Sequence, residues 1–369
     1  MDLTLNRSTL LEELQLLQGV LERRTTIPIL SNVLLTAEGD QLQIAATDLD
    51  VTVFSRCAAN IRREGRATIQ GKVFFDLVRS LPADTFDLTY LENRVEVRSG
   101  QFTSKLASLD PSDFPTLPQI PPAQGFALPL PLLQKIIDRS VFAVSSEEGH
   151  FQYNAALLVL GNGAVEMVAT DGHRLAYVTS ALSAGSPPFD QQLLPRKVLS
   201  QLRRFDGGEG TDVYLARGEN HLAFRVGERT LISRLLESRF PQYERVLVRD
   251  NPHRLRVHRQ EFTASVRRVA LLASERTHGI QLQVDADTIA LASVGFDIGS
   301  GEEKIECEYR GEPMKLLVNA QYVLDFLNAF GCERVEMQLR DADGPIVLTP
   351  VGDDEAIAEC LYVIMPIRL

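Results

Sequence analysis

The chain predicts an α+β protein of three tandem similar domains, each with two helices packed on antiparallel sheet. Two observations carry this reading: short markers recur three times in one order, and each copy mixes period-two apolar runs with two amphipathic helical stretches. Lys72-Val73-Phe74-Phe75-Asp76-Leu77 returns as Lys197-Val198-Leu199-Ser200-Gln201-Leu202 and as Gln321-Tyr322-Val323-Leu324-Asp325-Phe326-Leu327, with Val73, Val198 and Val323 at equal intervals of 125 residues. Ala46-Thr47-Asp48 returns 123 residues on as Ala169-Thr170-Asp171 and, altered, after another 123 as Ala292-Ser293-Val294. Asp113-Phe114-Pro115, Arg239-Phe240-Pro241 and Ile364-Met365-Pro366 close the copies, and Leu3-Thr4-Leu5, Phe126-Ala127-Leu128 and Leu255-Arg256-Val257 open them.

Each element follows in order. Leu3-Thr4-Leu5 alternates as a strand does, and Thr9 with Glu12 forms the pattern of a capping box before Leu10, Leu14, Leu17 and Leu21, which mark one helical face. Val33 to Thr36, the Glu38-Gly39-Asp40 turn and Leu42 to Ala45 predict a hairpin, matched in the second copy around Gly161-Asn162-Gly163. A second helix starts near Lys72, with Phe74, Leu77 and Leu81 on one face. Strands at Phe86 to Tyr90 and Val95 to Arg98 flank a Glu92-Asn93-Arg94 turn, and the second copy repeats them at Thr211 to Leu215 and Leu222 to Val226 around Gly218-Glu219-Asn220. Prolines between Pro118 and Gly125, and Asp250-Asn251-Pro252, mark linkers. The expected domains are therefore 1–122, 123–250 and 251–369, about 120 residues each, a size that supports an independent core.

Composition excludes several classes. A hydrophobic fraction of 44% and a charged fraction of 24% are those of a globular protein. No apolar run reaches the ~18 residues of a spanning helix, and early acidic residues argue against a secretory leader, so a cytoplasmic protein is expected. Cys57, Cys307, Cys332 and Cys360 lack CxxC spacing, which predicts packed reduced thiols and neither a zinc site nor a disulfide framework. No cofactor is implied.

A net charge of −11 opposes bulk attraction to nucleic acid, so the placement of charge matters more than its total. Basic residues recur on the helices, at Lys72, Arg79, Lys135, Arg139, Arg196, Lys197, Arg203, Arg204, Arg259, Arg267 and Arg268, whereas Asp285 to Asp287, Glu302-Glu303 and Asp353-Asp354-Glu355 are acidic. Glu12, Glu13 and Glu22 on the first helix run against the pattern. If such helices lined a common axis at ~10 Å spacing, six would leave a lumen of roughly 9 Å, twelve roughly 28 Å and eighteen roughly 47 Å. Only the twelve helices of two chains suit a duplex roughly 20 Å wide.

With the repeats in place, Ala169-Thr170-Asp171-Gly172-His173-Arg174-Leu175-Ala176, Arg239-Phe240-Pro241 and the terminal Tyr362-Val363-Ile364-Met365-Pro366-Ile367-Arg368-Leu369 resemble the bacterial DNA polymerase III β subunit, the sliding clamps. Ile27-Pro28-Ile29-Leu30 and Ser112-Asp113-Phe114-Pro115 extend the resemblance over the whole chain. It implies a head-to-tail homodimeric ring with helices lining the pore, which encircles double-stranded DNA without reading sequence and has no catalysis of its own. The implied partners are the polymerase III α subunit, the clamp loader, and other polymerases and repair proteins carrying a clamp-binding motif; no membrane is involved.

The resemblance also carries residues over. A cleft for partner peptides is implied at Tyr153, Thr170, Gly172, His173, Arg174, Leu175, Pro241, Val246, Pro345, Val363, Ile364, Met365, Pro366, Ile367 and Arg368. Leu175, Val246, Val363, Ile364 and Met365 would form an apolar socket, Gly172 would admit backbone, and Arg174 and Arg368 would meet acceptors at the rim. Tyr153 departs from the aliphatic residue familiar there. Arg24, Lys72, Arg196 and Lys197 match DNA-facing positions, Leu106 would meet Leu271 and Leu272 of a second chain, and the acidic Glu147 to Gln152 loop is left unassigned. Two rivals stand beside this reading: a protein-only scaffold of the same three domains, and a metal-dependent hydrolase using Asp171 and His173.

Overall fold

The computed structural model describes residues 1–21, 26–119, 126–145, 153–182, 187, 189–208, 210–293, 299–352 and 356–368. In chain order the first third forms β1 (Asp2–Asn6), α1 (Arg7–Leu17), β2 (Asn32–Glu38), β3 (Gln41–Thr47), β4 (Val51–Arg63), β5 (Gly65–Gln70), α2 (Gly71–Ser80), β6 (Thr85–Leu91), β7 (Arg94–Ser99) and β8 (Phe102–Ala107). The middle third forms β9 (Phe126–Pro129), α3 (Leu130–Asp138), β10 (Ala155–Gly161), β11 (Ala164–Thr170), β12 (Arg174–Ala181), β13 (Gln191–Pro195), α4 (Arg196–Leu202), β14 (Asp212–Arg217), β15 (His221–Val226) and β16 (Arg229–Arg234). The last third forms β17 (His253–His258), α5 (Arg259–Ala270), β18 (Gly279–Asp285), β19 (Thr288–Ser293), β20 (Glu302–Glu306), β21 (Met314–Asn319), α6 (Ala320–Ala329), β22 (Arg334–Leu339), β23 (Ile346–Val351) and β24 (Glu359–Ile364). The same order of elements appears three times, as the markers predict.

The chain divides into two compact units: residues 1–133, 185–189 and 197–236 make the first, and residues 134–184, 190–196 and 237–369 the second. The first holds a 12-stranded antiparallel sheet ordered β8-β7-β6-β1-β4-β16-β15-β14-β9, with β2, β3 and β5 branching from it. β4 is the hub: its end at Ala59 to Arg63 pairs β1, its start at Val51 to Phe54 pairs β16, and β3 pairs it from Thr52 to Ala58. The second unit holds an eight-stranded sheet, β13-β10-β11-β12-β24-β23-β22-β17, and a four-stranded one, β20-β19-β18-β21. The predicted hairpin turns form where Gly39, Glu92 with Asn93, and Asn162 with Gly163 take positive φ.

Helix α1 begins two residues before the expected Thr9. Asn6 caps it, its side-chain oxygen accepting from the Thr9 backbone N–H at 3.2 Å. Asn is among the strongest N-cap residues, and β1 delivers Asn6 in extended geometry, so it takes the role the Thr9–Glu12 pattern suggested. Leu10, Leu14 and Leu17 are fully buried, as are Phe74 and Val78 of α2, which packs on α1. Phe262 and Val266 of α5 meet Phe326 and Leu327 of α6 in the same way. Each such side chain contributes about 1.5–3 kcal/mol by leaving water.

The acidic residues of α1 are not one surface feature. Glu13 is buried, accepts from Ser55, and is gripped by Arg229 through Nε at 3.0 Å and Nη2 at 2.7 Å. All four cysteines are buried and free, and burial pushes the Cys57 thiol up to about 12 and the Cys307 thiol to about 11. Thiols so far from ionising are poor nucleophiles and metal ligands.

Strands β1, β4 and β6 are laced by Arg62, which reaches Asp2 at 2.6 Å and Asp87 at 2.9 Å. The Asp87 carboxyl is held below the usual range first by the Thr4 hydroxyl at 2.6 Å and then by Arg62, and Asp2 is lowered first by its hydrogen bond to Arg62. A depressed folded-state pKa stabilises above the unfolded value and is lost as pH falls through the folded one. Urea midpoints should therefore hold near neutrality and fall below about pH 4. Asp87→Asn should flatten that acid limb, and an unchanged limb would remove the cluster as its cause.

Candidate functional site

Between β11 and β12 the chain turns through Asp171-Gly172-His173, and the turn is held by its own side chains. Asp171 Oδ1 accepts from the His173 N–H at 3.0 Å and the Arg174 N–H at 3.1 Å. Thr170 Oγ1 accepts from the Gly172 N–H at 3.1 Å and donates to the Arg174 carbonyl at 2.6 Å. Gly172 sits at φ 92°, in the left-handed region that favours glycine. A Cβ there would stand 3.6 Å from Tyr153 Cζ, so the missing side chain leaves open the gap between turn and ring.

The last strand completes the site. β24 pairs β12 with Leu175 opposite Val363 and Arg174 opposite Ile364, and the Met365 N–H continues the ladder to the His173 carbonyl at 3.0 Å. The result is a cavity of about 270 Å³ lined by Tyr153, Thr170, Gly172, His173, Arg174, Leu175, Pro241, Gln242, Tyr243, Val246, Val363 and Met365. Leu175 and Val363 are buried in its floor, while Met365 remains 40% exposed. Tyr243 is braced by Tyr177 at a ring separation of 6.4 Å and by Phe240 at 6.1 Å. Burial pushes the Tyr243 phenol up to about 12, so it stays a neutral donor and acceptor at physiological pH.

Arg174 lines the cavity, but its guanidinium faces inward rather than out to the rim. Nε meets Asp171 Oδ2 at 2.8 Å, Nη1 meets Asp325 Oδ2 at 2.5 Å and the Tyr362 hydroxyl at 3.4 Å, and Nη2 donates to the Phe142 carbonyl at 2.7 Å. Its carbon lies 4.4 Å from the centre of the Tyr322 ring. Burial alone would lower its pKa, but the Tyr362 oxygen and the Asp325 and Asp171 carboxylates outweigh it and the net direction is up. Arg174 thus fastens the Asp171 turn to α6 and to Tyr362, one residue before Val363 in the floor.

The remaining expected residues fall around this cavity without lining it. Ile364 is fully buried, Pro345 and Pro366 are half-buried, and Arg368 is exposed. Ile367 donates its N–H to the Leu317 carbonyl at 2.8 Å, which anchors the tail. Gln242 and Tyr243 were not anticipated, although they directly follow the Arg239-Phe240-Pro241 marker, and that adjacency was the available signal.

The expected basic and interface positions differ in setting. Lys72 is exposed on α2, its Nζ 2.7 Å from Asp76, which also meets Arg79 at 3.0 Å. Arg196 donates to the Val144 carbonyl at 3.2 Å. Lys197 is turned into its unit, bonded to the Asp48 carboxylate and to the Val20 carbonyl at 3.0 Å. Arg24 and residues 147–152 lie outside the described residues. Leu106 is on the edge strand β8, Leu271 follows α5 with 77% exposure, and Leu272 is half-buried. Among the described residues no group of three or more His, Cys, Asp or Glu is placed to hold a metal ion.

Sequence models of the DNA polymerase III beta subunit match nearly the whole chain: the N-terminal domain over residues 1–118, the central domain over 127–242 and the C-terminal domain over 244–368. Among curated proteins, a beta sliding clamp of Pseudomonas aeruginosa is 33% identical over 371 residues and one of Escherichia coli 32% identical over 372, each match spanning 100% of both chains. Among solved structures, the DNA polymerase III subunit beta of P. aeruginosa superposes with a TM-score of 0.92 at 33% identity, and a sliding clamp of the same organism bound to griselimycin with 0.91 at 34%; both cover 100% of each chain.

Proposed function

We infer, from a chain that belongs to the DNA polymerase III β-subunit family, a β sliding clamp: a non-catalytic processivity factor that tethers the replicative polymerase and other proteins to DNA. The observation that carries the tethering role is the cavity of about 270 Å³ at the Gly172 turn, apolar in its floor and walled by Tyr153, Pro241 and Tyr243. Pockets of this make suit a short peptide with one or two apolar anchors, and Met365 at the mouth adapts to varied side chains. The cleft residues assigned are Tyr153, Thr170, Gly172, His173, Leu175, Pro241, Val246, Val363 and Met365, joined by Gln242 and Tyr243, with Arg174 and Ile364 behind them. Pro345, Pro366, Ile367 and Arg368 belong to its surroundings.

The working form is a cytoplasmic head-to-tail dimer of three-domain chains, with domains 1–122, 123–250 and 251–369, enclosing duplex DNA. Topology, not affinity, keeps such a ring on its template, which lets an acidic protein work on a polyanion as long as its contacts to phosphate are few and exchangeable. Lys72, with its side chain in solvent, is the DNA-facing residue best placed to act; Arg24, Arg196 and Lys197 are assigned with it. Leu271 supplies the apolar contact for Leu106 on β8 of the second chain, a heterologous contact that two half-turns close.

Light scattering at micromolar concentration, combined with retention on circular and linearised DNA after loading, tests the reading. A dimer of about twice 41.0 kDa that stays on circles and leaves free ends is expected. A monomer lost equally from both would point to the protein-only scaffold. Lys72→Ala should leave the dimer intact and lower the salt slope of DNA contact by roughly 0.9 per phosphate released; an unchanged slope would remove Lys72 from the DNA surface. Leu271→Asp should move the light-scattering mass towards monomer at the same concentration, and an unshifted mass would clear Leu271 of the seam.

A further inference from the structure

The turn that builds the cleft occurs a second time, in the first unit. Between β3 and β4, Leu49 N–H donates to Thr47 Oγ1 at 3.1 Å, and Asp48 Oδ1 accepts from Asp50 N–H at 3.0 Å and Val51 N–H at 2.6 Å. These are the bonds that Thr170 and Asp171 make to Gly172, His173 and Arg174. The strand ladder is copied too: Thr52 faces Ile232 on β16 as Leu175 faces Val363 on β24, and the Arg234 N–H reaches the Asp50 carbonyl at 2.8 Å as Met365 reaches His173. Even the tie to the following helix has a counterpart, since Asp48 is bonded by Lys197 of α4, the repeat equivalent of Tyr322 under Arg174.

This second frame also encloses a groove, of about 380 Å³, with Leu49, Thr52, Pro115, Leu117, His221 and Ile232 among its walls. Pro115 stands where Pro241 stands in the cleft, and Ile232 where Val363 does. The main change is at the turn's tip: Leu49 occupies the place of Gly172, at φ 81°, with 53% of its surface exposed. A bulky residue in the left-handed region is uncommon, and here it presents an apolar side chain to solvent at the mouth of an apolar groove.

We propose that the Thr47–Thr52 groove is a second docking site of the same protein, one that takes a short extended peptide with an aliphatic anchor packed on Leu49 and Ile232. The occupant follows from the frame: a turn and strand pair of identical bonding present the same edge, and the lining remains apolar. The inference rests on the peptide-cleft reading for its occupant. The two grooves differ in specificity, because Gly172 admits a peptide backbone close to the turn whereas Leu49 holds it off and offers a side chain. A peptide fitted to one is therefore a poor fit to the other.

The test is methyl NMR of the full-length protein labelled at leucine, isoleucine and valine methyls, titrated with acetyl-Ser-Leu-Pro-Leu-Ser-amide. Saturable shifts at Leu49 and Ile232 are expected, with the affinity falling at least tenfold in Leu49→Asp and in Leu117→Asp while the circular dichroism stays unchanged. No saturable shift at those methyls up to millimolar peptide, or shifts indifferent to both substitutions, overturns the inference. Leu175 and Val363 report the cleft separately. Shifts there alone overturn the second site and leave the cleft standing; shifts at Leu49 and Ile232 alone support the second site and count against the cleft.

Discussion

Arg174→Ala is expected to destabilise the second unit by about 3–5 kcal/mol, the cost of leaving buried charge without its partner. The side chains concerned are all shielded: Arg174 is 11% exposed, Asp171 14% and Asp325 22%. Removing the guanidinium strands two carboxylates and the Phe142 carbonyl and takes the cation from the Tyr322 face. Arg174→Lys should recover less than half of the loss, because an ammonium cannot hold three divergent acceptors in one plane. Asp325→Asn should cost less than Arg174→Ala, since Asp171 still balances the cation. Urea denaturation followed by probes in the second unit measures all three. A loss below about 1 kcal/mol for the alanine variant would make the network a surface arrangement and not a fastening.

Gly172→Leu should abolish most partner binding while leaving the fold in place, with a fall in peptide affinity of about 30- to 100-fold, or ~2–3 kcal/mol. Its Cβ would already lie 3.6 Å from Tyr153 Cζ and 3.7 Å from the hydroxyl, so the rest of the side chain must enter the cavity. The backbone penalty is of order 1 kcal/mol. Leu49 shows that the same turn accepts a leucine, at φ 81° against 92° for Gly172. Fluorescence anisotropy with a motif peptide from the cognate polymerase reads the affinity, and thermal denaturation checks the fold. Undiminished binding in a folded variant would move the peptide away from the Gly172 turn.

Much of the architecture was legible because its causes are local. Alternation of apolar residues marked the hairpins at Gly39 and Asn162, and a 3.6-residue period marked α1 and α2. Where local signals competed, the outcome was not legible: Thr9 and Glu12 have the capping pattern, but Asn6 is delivered at the strand end and takes the cap. Most of the cleft was identified from residues grouped in three short stretches, 170–175, 239–246 and 362–368. Gln242 and Tyr243 were missed because their inward aim depends on how the segment after Pro241 packs on Tyr177.

Charge was the least legible property. Glu13 looks like a surface acid and is a buried acceptor for Arg229, 216 residues away. Lys197 looks like an exposed helix cation and is bonded to Asp48, 149 residues away. A charged side chain's partner is set by whichever element packs against it, and no periodicity encodes that.

The sequence by itself determined the three repeats, the element order, the turns and the family, since spacing and turn chemistry act within a few residues. Only the tertiary structure decided which of two identical turns carries a glycine-floored cavity and which a leucine-tipped groove, and that Arg174 is a fastening rather than a rim contact. The reason is register: residues 174 and 362 meet across 188 positions of chain only because β12 and β24 pair as they do.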